Sequence, residues 1–351
     1  MSKKTITNYI PEIYREIFPS FFSKNIDAEM LADCNDCVML PGKNGVSGQD
    51  YFSEETKCCT YFPYIPNYMA GLILSAKKFP EGKKIIRQMI AAGCGITPKG
   101  IMPGKKYLHL YELSRKKSFG KNASLKCPFY QSEKGMCAVW EGRGAVCSGF
   151  FCRHVRGADG ENFWNAVKKY LQVSEQVLAR YSIFFLDGIP ENLPATPPDP
   201  WSWSADELDE KKPDNYKEIW GKWEGKEEQF YIGAYELVKK LDRKKFESLM
   251  GIDHPYQLKK LEIAWKKMMK PQLPDIMKIN PAASFRKKNE NTWLASVPAG
   301  TFEIQQVVFD LLHYFDGKRK TPEVLKAIRK NLQVEPDRDL LEGFYQNRIL
   351  I

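Results

Sequence analysis

The sequence predicts a mainly α-helical protein with an irregular, loop-rich cysteine-cluster domain at its N-terminus and an α+β, winged-helix-like domain at its C-terminus. All nine cysteines of the 351-residue chain lie between Cys34 and Cys152. Apolar residues recur at helical spacing over most of residues 159–270, and residues 290–351 combine a hairpin pattern with short helical patterns. We therefore expect three units, at residues 1–156, 157–289 and 290–351.

The composition is that of a folded, globular chain. Hydrophobic residues make up 43% and charged residues 27% of the sequence, which is enough apolar material for cores and excludes the disordered and fibrous classes. No run of 18 apolar residues is present, so the sequence predicts no transmembrane helix and no membrane partner. The first residues lack the apolar segment of an export signal, so we expect a cytoplasmic protein.

The first two units differ in their local patterns. Residues 1–156 are rich in glycine, proline and aromatic residues, and helical patterns occur there only in pieces, at 67–78 and 82–92. The second unit begins with one long predicted helix over 162–186, followed by a Pro-rich linker at 188–200. Two further amphipathic helices are predicted over residues 224–241 and 256–270.

The last unit begins with a predicted hairpin over residues 292–304 that turns at Pro298-Ala299-Gly300. An apolar helix is predicted over 304–315. The next helix should begin at Thr321-Pro322, with the threonine as N-cap and the proline at the first helical position. A final helix over about 337–347 completes the winged-helix-like pattern.

The cysteines indicate a metal centre. In a chain without an export signal, thiols stay reduced, and an odd number cannot all pair as disulfides. Clustered cysteines in such a protein favour a metal or iron–sulfur site, with buried or redox thiols as the alternative. With the isolated Cys94 set aside, the remaining eight are the predicted metal ligands: Cys34, Cys37, Cys58, Cys59, Cys127, Cys137, Cys147 and Cys152.

The spacing of these ligands favours iron–sulfur over zinc. Zinc ribbons usually use two close C-x2–4-C pairs, whereas here only one C-x-x-C exists, at Cys34 and Cys37, and the last four cysteines are separated by 9, 9 and 4 intervening residues. We therefore expect one or two centres, with [4Fe–4S] first and zinc as the alternative. In an extended chain the vicinal Cys58-Cys59 pair would point to opposite faces, so the two would bridge neighbouring sites, or one would bind metal while the other faces the interior. His154, close to Cys152, is a candidate mixed ligand or an ordinary structural residue.

Two stretches resemble known families. An early cysteine, a vicinal pair, Cys127-Pro128-Phe129, Cys137 with Trp140, and Arg143 with Cys147 resemble the zinc- or iron-chelating cysteine-cluster family, often called YkgJ-like. That resemblance covers about residues 30–155 and implies metal or iron–sulfur binding; flagellin lysine N-methylases are similar to this family. Residues 315–324 resemble the small peptide-binding domain of pyrroloquinoline-quinone-type peptide maturation.

A basic belt occupies residues 71–130, with 13 Lys/Arg against two Asp/Glu. Nucleic acid, an acidic protein or peptide partner, and compensation of a negatively charged cluster are the three interpretations. No groove-reading motif accompanies the belt, so nucleic acid is the weaker of the two binding interpretations.

Two function classes remain open. The first is a metal-binding protein whose centre is structural or carries electrons. The second is a protein- or peptide-modifying, methylase-like enzyme that uses the metal centre, with the C-terminal domain binding substrate. The chain has no Walker A, G-x-S-x-G or H-E-x-x-H motif, so its enzyme status stays undecided and its catalytic residues unknown.

Overall fold

The computed structural model describes residues 3–29, 34–41, 51–187, 212–297 and 300–351, without the side chains of 115–117. About 51% of the described structure is helical and the sheets are small and antiparallel. The fold is therefore mixed α/β with more helix than sheet, which agrees with the predicted class at this coarse level. The predicted Pro-rich linker at 188–200, Pro298-Ala299 of the predicted turn, and the side chains of 115–117 in the basic belt lie outside the described residues.

Short elements make up the N-terminal part. The strands are β1 (Lys3–Thr5), β2 (Asn25–Asp27), β3 (Ile65–Pro66), β4 (Ile96–Thr97), β5 (Gly100–Ile101), β6 (Tyr130–Gln131) and β7 (Met136–Cys137), and the helices are α1 (Asn67–Ser75), α2 (Pro80–Ala92), α3 (Lys105–Ser118) and α4 (Ala145–Ser148). β1 pairs with β2, β5 lies between β3 and β4, and β6 pairs with β7, all antiparallel. α2 begins at a proline and ends at Gly93, whose φ of 66° suits a glycine C-cap.

The middle of the chain is helical, as its apolar spacing predicts. The helices are α5 (Gly157–Asp187), α6 (Tyr216–Trp220), α7 (Glu227–Lys239), α8 (Arg243–Met250) and α9 (Asp253–Met269). Asp242 caps α8, because its carboxylate accepts a 2.7 Å hydrogen bond from the Lys245 amide. Thus local capping chemistry and apolar periodicity together fix these elements.

One hydrophobic core joins the N-terminal part to these helices. It runs from Ile6 to Met268 and includes the fully buried Tyr68, Trp164 and Tyr231. α5 is its central element and packs against α1, α4, α7, α8 and α9. The cysteine-bearing segments are therefore supported from behind by a long, well-buried helix.

A second core forms in the C-terminal part. Strands β8 (Ser284–Asn289), β9 (Thr292–Val297) and β10 (Gly300–Gln305) form an antiparallel sheet in the order β10-β9-β8, and the helices are α10 (Gln306–Leu312), α11 (Thr321–Leu332) and α12 (Arg338–Gln346). This core already includes Met277, and partly buried Leu273 packs against it. The hairpin prediction missed β8, an exposed edge strand with the polar sequence SFRKKN.

The start of α11 differs by one residue from the prediction. Lys320 is the N-cap, and Thr321 is the first helical residue. The Thr321 hydroxyl donates to the Asp275 carbonyl oxygen at 3.0 Å instead of capping its own helix. Tertiary contact with the preceding chain therefore overrides the local capping preference.

The second core is attached to the first at the N-terminal end of α5. Asp159, 1% exposed, lies 3.5 Å from both Lys267 and Arg348 across this junction. Gln346 donates from its side-chain nitrogen to the Met268 carbonyl oxygen at 2.9 Å. The C-terminal unit thus contacts the chain a few residues after Cys152. Within the described residues, no helix combines the length and the apolar character needed to cross a membrane.

Candidate metal centre

Seven of the eight predicted ligands line a single cavity of about 500 Å³. These are Cys34, Cys58, Cys59, Cys127, Cys137, Cys147 and Cys152. The eighth, Cys37, is buried beside this cavity, and its thiol hydrogen-bonds with that of Cys152. The fold therefore brings all eight predicted residues into one region, although they span well over a hundred positions of sequence.

The vicinal pair lies in a turn, not in an extended strand. Lys57 has a positive φ of 47°, and the Cys59 amide donates to the Thr56 carbonyl oxygen at 2.9 Å. Both Cys58 and Cys59 consequently line the same cavity, with their thiols hydrogen-bonded to each other. The prediction that they point to opposite faces was wrong, because strand alternation does not apply in a turn.

A small hairpin presents the next two cysteines. The Cys127 amide donates to the Cys59 carbonyl oxygen at 2.8 Å, which ties this hairpin to the vicinal pair. Tyr130 on β6 pairs with Cys137 on β7, and the Ala138 amide donates to the Phe129 carbonyl oxygen at 2.7 Å. Cys127 and Cys137 are thereby held on neighbouring segments at one end of the hairpin.

The last two cysteines depend on buried carboxylates for their position. Cys147 lies on α4, whose first amide, at Ala145, donates to Glu175 Oε1 at 2.6 Å. After Cys152, the Val155 amide donates to Glu29 Oε2 at 2.8 Å. Burial raises the pKa of Glu175 to about 8 and also raises that of Glu29. Both carboxyl groups serve as acceptors, Glu29 as part of the cavity lining and Glu175 from outside it.

Lys57 joins three cysteine-bearing segments. Its ammonium donates to the Cys34 carbonyl oxygen at 2.6 Å and to the Gly135 carbonyl oxygen at 2.8 Å, while its backbone leads directly into Cys58. A left-handed backbone at a residue other than glycine costs on the order of 1–3 kcal/mol. This arrangement is strained, and the two charge-assisted hydrogen bonds offset that strain.

Burial keeps most of these thiols protonated in the protein alone. It raises the pKa of Cys34 to about 11 and that of Cys147 to about 12, and it raises those of Cys127 and Cys137 as well. Hydrogen bonding from Cys152 instead lowers the pKa of Cys37 to about 6. Hydrogen bonds from Cys152 and Cys59 likewise lower that of Cys58. A cation in the cavity would favour the thiolate form of every one of these groups.

The rest of the cavity wall is largely aromatic. Phe119 and Phe150 meet edge to face with ring centres 5.7 Å apart, and Tyr61 meets Tyr111 at 5.5 Å. At the cavity's outer part, Met136, Trp140 and Phe150 are 37%, 39% and 40% exposed. The aromatic lining residues are Tyr9, Tyr61, Tyr111, Phe119, Phe129, Tyr130, Trp140, Phe150 and Phe151. The thiols thus lie in a low-dielectric environment, and the outer part of the cavity is accessible to solvent.

The described side chains do not form a site for a single metal ion. Across the described ranges, no group of three or more His, Cys, Asp or Glu side chains could hold a metal ion. The donor set nevertheless fits a thiolate-bound centre in its chemistry and in sharing one cavity. Cys37, Cys152, Cys58 and Cys59 contact one another in a chain of hydrogen bonds, and the other thiols line the rest of the cavity.

Two other residues considered in the sequence analysis, His154 and Cys94, do not line the cysteine cavity. His154 follows Cys152 but does not line the cavity. Its Nδ1 is buried and hydrogen-bonds to no described residue, and burial lowers the pKa of His154 to about 4. Cys94 lies after α2, where its thiol donates to the Ala92 carbonyl oxygen at 3.4 Å. Neither residue belongs to the group of eight.

The basic belt is distributed over the N-terminal helices and loops. Lys83, Lys84 and Arg87 form an open concave surface on α2. Arg87 also donates to the Glu228 carboxylate of α7, at 2.8 Å from a terminal nitrogen and at 3.0 Å from Nε. Part of the belt therefore pairs with carboxylates of the same chain.

Sequence reasoning missed the polar residues that position the cysteines. Lys57 carries one local signal, its place directly before the vicinal pair. Glu29 and Glu175 carry no local sequence signal, because each acts on a segment more than 25 residues away.

Comparison with family models, with curated proteins and with solved structures gives no match for this chain.

Proposed function

We propose that this chain is a metal-binding protein whose centre is held by thiolates of Cys34, Cys37, Cys58, Cys59, Cys127, Cys137, Cys147 and Cys152. The observation that carries the proposal is the shared cavity, which seven of these thiols line and the eighth adjoins. Thiolate sulfur is the preferred donor for iron–sulfur clusters and for structural zinc. The resemblance of residues 30–155 to the cysteine-cluster family points the same way.

Iron–sulfur, with [4Fe–4S] first, is the form we favour, and zinc is the alternative. Seven thiols lining one cavity of about 500 Å³ suit a polynuclear centre, because its ligands bind different metal atoms and need not converge on one ion. Such a centre would supply either folding free energy or a one-electron site. The chain's own part is to bind it, to limit its contact with water through the aromatic wall, and to balance its charge.

The decisive experiment is anaerobic purification followed by an absorption spectrum and by iron, sulfide and zinc analysis. Two cysteine variants form a matched pair. Cys127→Ser removes a buried cavity thiol, and Cys94→Ser removes a thiol outside the cavity. We expect stoichiometric metal in the parent protein and in Cys94→Ser, and a large loss in Cys127→Ser. Equal metal in all three, or none in the parent, would refute the proposal.

A second candidate is a protein- or peptide-modifying, methylase-like enzyme. It is favoured by the volume of the cavity, which lies within the ~300–1,000 Å³ range of ligand pockets, and by the partly exposed Met136, Trp140 and Phe150. In this version the C-terminal sheet and helices form a winged-helix-like domain that binds the substrate. Transfer of label from a methyl donor to added peptide, dependent on Cys127, would favour it over the first candidate.

Partner and location follow from the same proposal. A thiolate centre requires a reducing compartment, for which we propose the cytoplasm. The open basic surface around Lys83, Lys84 and Arg87 suits an acidic protein or peptide, with nucleic acid as the less favoured partner. Binding that weakens steeply with salt but does not discriminate among nucleic acids of different sequence would argue for the latter.

A further inference from the structure

Arg143 is the one arginine on the wall of the cysteine cavity within the described part of the chain. Its Nε donates to the Trp140 carbonyl oxygen at 2.7 Å, and its Cζ lies 3.4 Å from the centre of the Trp140 ring. A Cβ at the adjacent Gly144 would collide with the Tyr64 carbonyl oxygen. The backbone therefore cannot shift freely, and the guanidinium is held in one place by stacking and by one hydrogen bond.

The remaining donors of this guanidinium are available to the cavity. No carboxylate or other acceptor of the described ranges hydrogen-bonds to its two terminal nitrogens, and neither nitrogen is a fully buried atom. A half-buried cation with no acidic partner is costly, since desolvation is not repaid by an ion pair. An anionic occupant of the cavity would repay it.

The surroundings identify that anion as sulfur. Cys34, Cys58, Cys137 and Cys147 all interact electrostatically with Arg143, and each would raise its pKa as a thiolate while burial lowers it. All four thiols and Arg143 line the same cavity. N–H donors directed at sulfur and nearby positive charge both stabilise a thiolate-bound centre, and the reduced form more than the oxidised form.

We propose that Arg143 is the positioning and charge-balancing residue of the thiolate centre, donating from its terminal nitrogens to sulfur and setting the centre's affinity and reduction potential. This inference rests on the proposed function. Removing the charge must weaken metal retention and, if the metal is iron, move the potential to a more negative value.

The test compares four anaerobically purified full-length proteins: the parent, Arg143→Met, Arg143→Lys and Arg243→Met. The last makes the same change of charge at an exposed position of α8, away from the cavity. Metal and sulfide content, retention against a competing chelator, and the midpoint potential of an iron centre are measured for each. Second-sphere changes typically reduce metal affinity about 10–100-fold, and we expect a loss of that order in Arg143→Met.

We expect Arg143→Lys to fall between the parent and Arg143→Met, and Arg243→Met to match the parent. If Arg143→Met matches Arg243→Met in retention and potential, the role of Arg143 is refuted while the metal site stands. If all four proteins lack metal, the proposed function fails and this inference with it. Should circular dichroism show Arg143→Met unfolded, Arg143→Gln replaces it and is judged by the same criteria.

Discussion

At the scale of single residues, the least usual group behind the cavity is Glu175. It is 4% exposed, and its one described hydrogen-bond partner is the Ala145 amide at 2.6 Å. Burial raises its pKa from 4.5 to about 8, so the carboxyl group holds its proton more tightly in the folded state than in the unfolded chain. The stabilising contribution is complete below the unfolded pKa and is lost as pH rises through about 8.

Glu175→Gln should therefore flatten the pH dependence of stability. The amide oxygen can still accept from Ala145, while the group no longer ionises. We expect the parent to lose free energy of unfolding relative to the variant between about pH 5 and about pH 9, because each tenfold difference in proton affinity equals about 1.4 kcal/mol. Thermal unfolding of both proteins across that range measures it. Parallel curves would show that Glu175 does not titrate as described.

The residue scale also shows where sequence reasoning stops. The eight cysteines could be predicted as one group, because compartment and clustering limit what thiols do. Lys57, which donates to the carbonyl oxygens of Cys34 and Gly135, could not, because its partners are set by the fold and not by spacing. The error over Cys58 and Cys59 has the same origin, since the pattern contains no information on the left-handed backbone at Lys57.

At the scale of elements, α1 packs directly against α7 at Gly71. A Cβ at Gly71 would clash with the backbone carbonyl of Tyr231 and lie 2.8 Å from Tyr235 Cβ. Backbone atoms cannot move aside as a flexible side chain can, so the two helices would have to separate. Tyr231 is fully buried and donates to the Thr97 carbonyl oxygen at 2.9 Å, so separation would disturb β4 as well.

Gly71→Ala should lower the free energy of unfolding by about 1–3 kcal/mol or more. Gly343→Ala is the matched control, because that glycine lies in α12 and a Cβ added there would have nothing within 4 Å. There the same change should stabilise by about 0.5–1 kcal/mol, through the better helix propensity of alanine. Denaturant unfolding of the two variants gives opposite signs if the packing is as described, and equal signs if it is not.

Element boundaries followed from sequence where local chemistry decides them. The long apolar periodicity predicted α5, α7 and α9 to within a few residues at most ends, and Pro80 with Gly93 marks both ends of α2. The sequence did not predict the polar strand β8, because its exposed residues show no alternation of apolar and polar side chains. Thr321 does not cap α11, because its hydroxyl donates to the Asp275 carbonyl oxygen instead. In each miss a tertiary contact or solvent exposure replaced the local preference.

At the scale of the whole molecule, the two cores should respond differently to removal of the metal. The first core includes Cys127 and adjoins the cavity, whereas the second is built from residues of the C-terminal part alone. Where a site does not exist in the unfolded chain, the free energy of metal binding adds to the free energy of folding. Loss of the metal should therefore loosen the N-terminal part first.

Limited proteolysis before and after chelation measures this. We expect new cleavage within residues 51–156, while residues 273–351 remain resistant. The junction at Asp159, Lys267 and Arg348 is the place where any effect would pass from one core to the other. Cleavage that begins in the C-terminal part, or protection that does not change at all, would contradict this order of stability.

Two tryptophans beside the cavity make the protein's intrinsic fluorescence sensitive to what the cavity holds. Trp140 forms part of the wall, and the buried Trp164 lies behind it, with ring centres 4.5 Å from Phe151 and 5.2 Å from Tyr9, both of which line the cavity. Anything that fills the cavity changes the polarity around one indole and the packing around the other. The chain thus carries its own optical reporter, and occupancy of the thiol cavity can be followed by intrinsic fluorescence without a label.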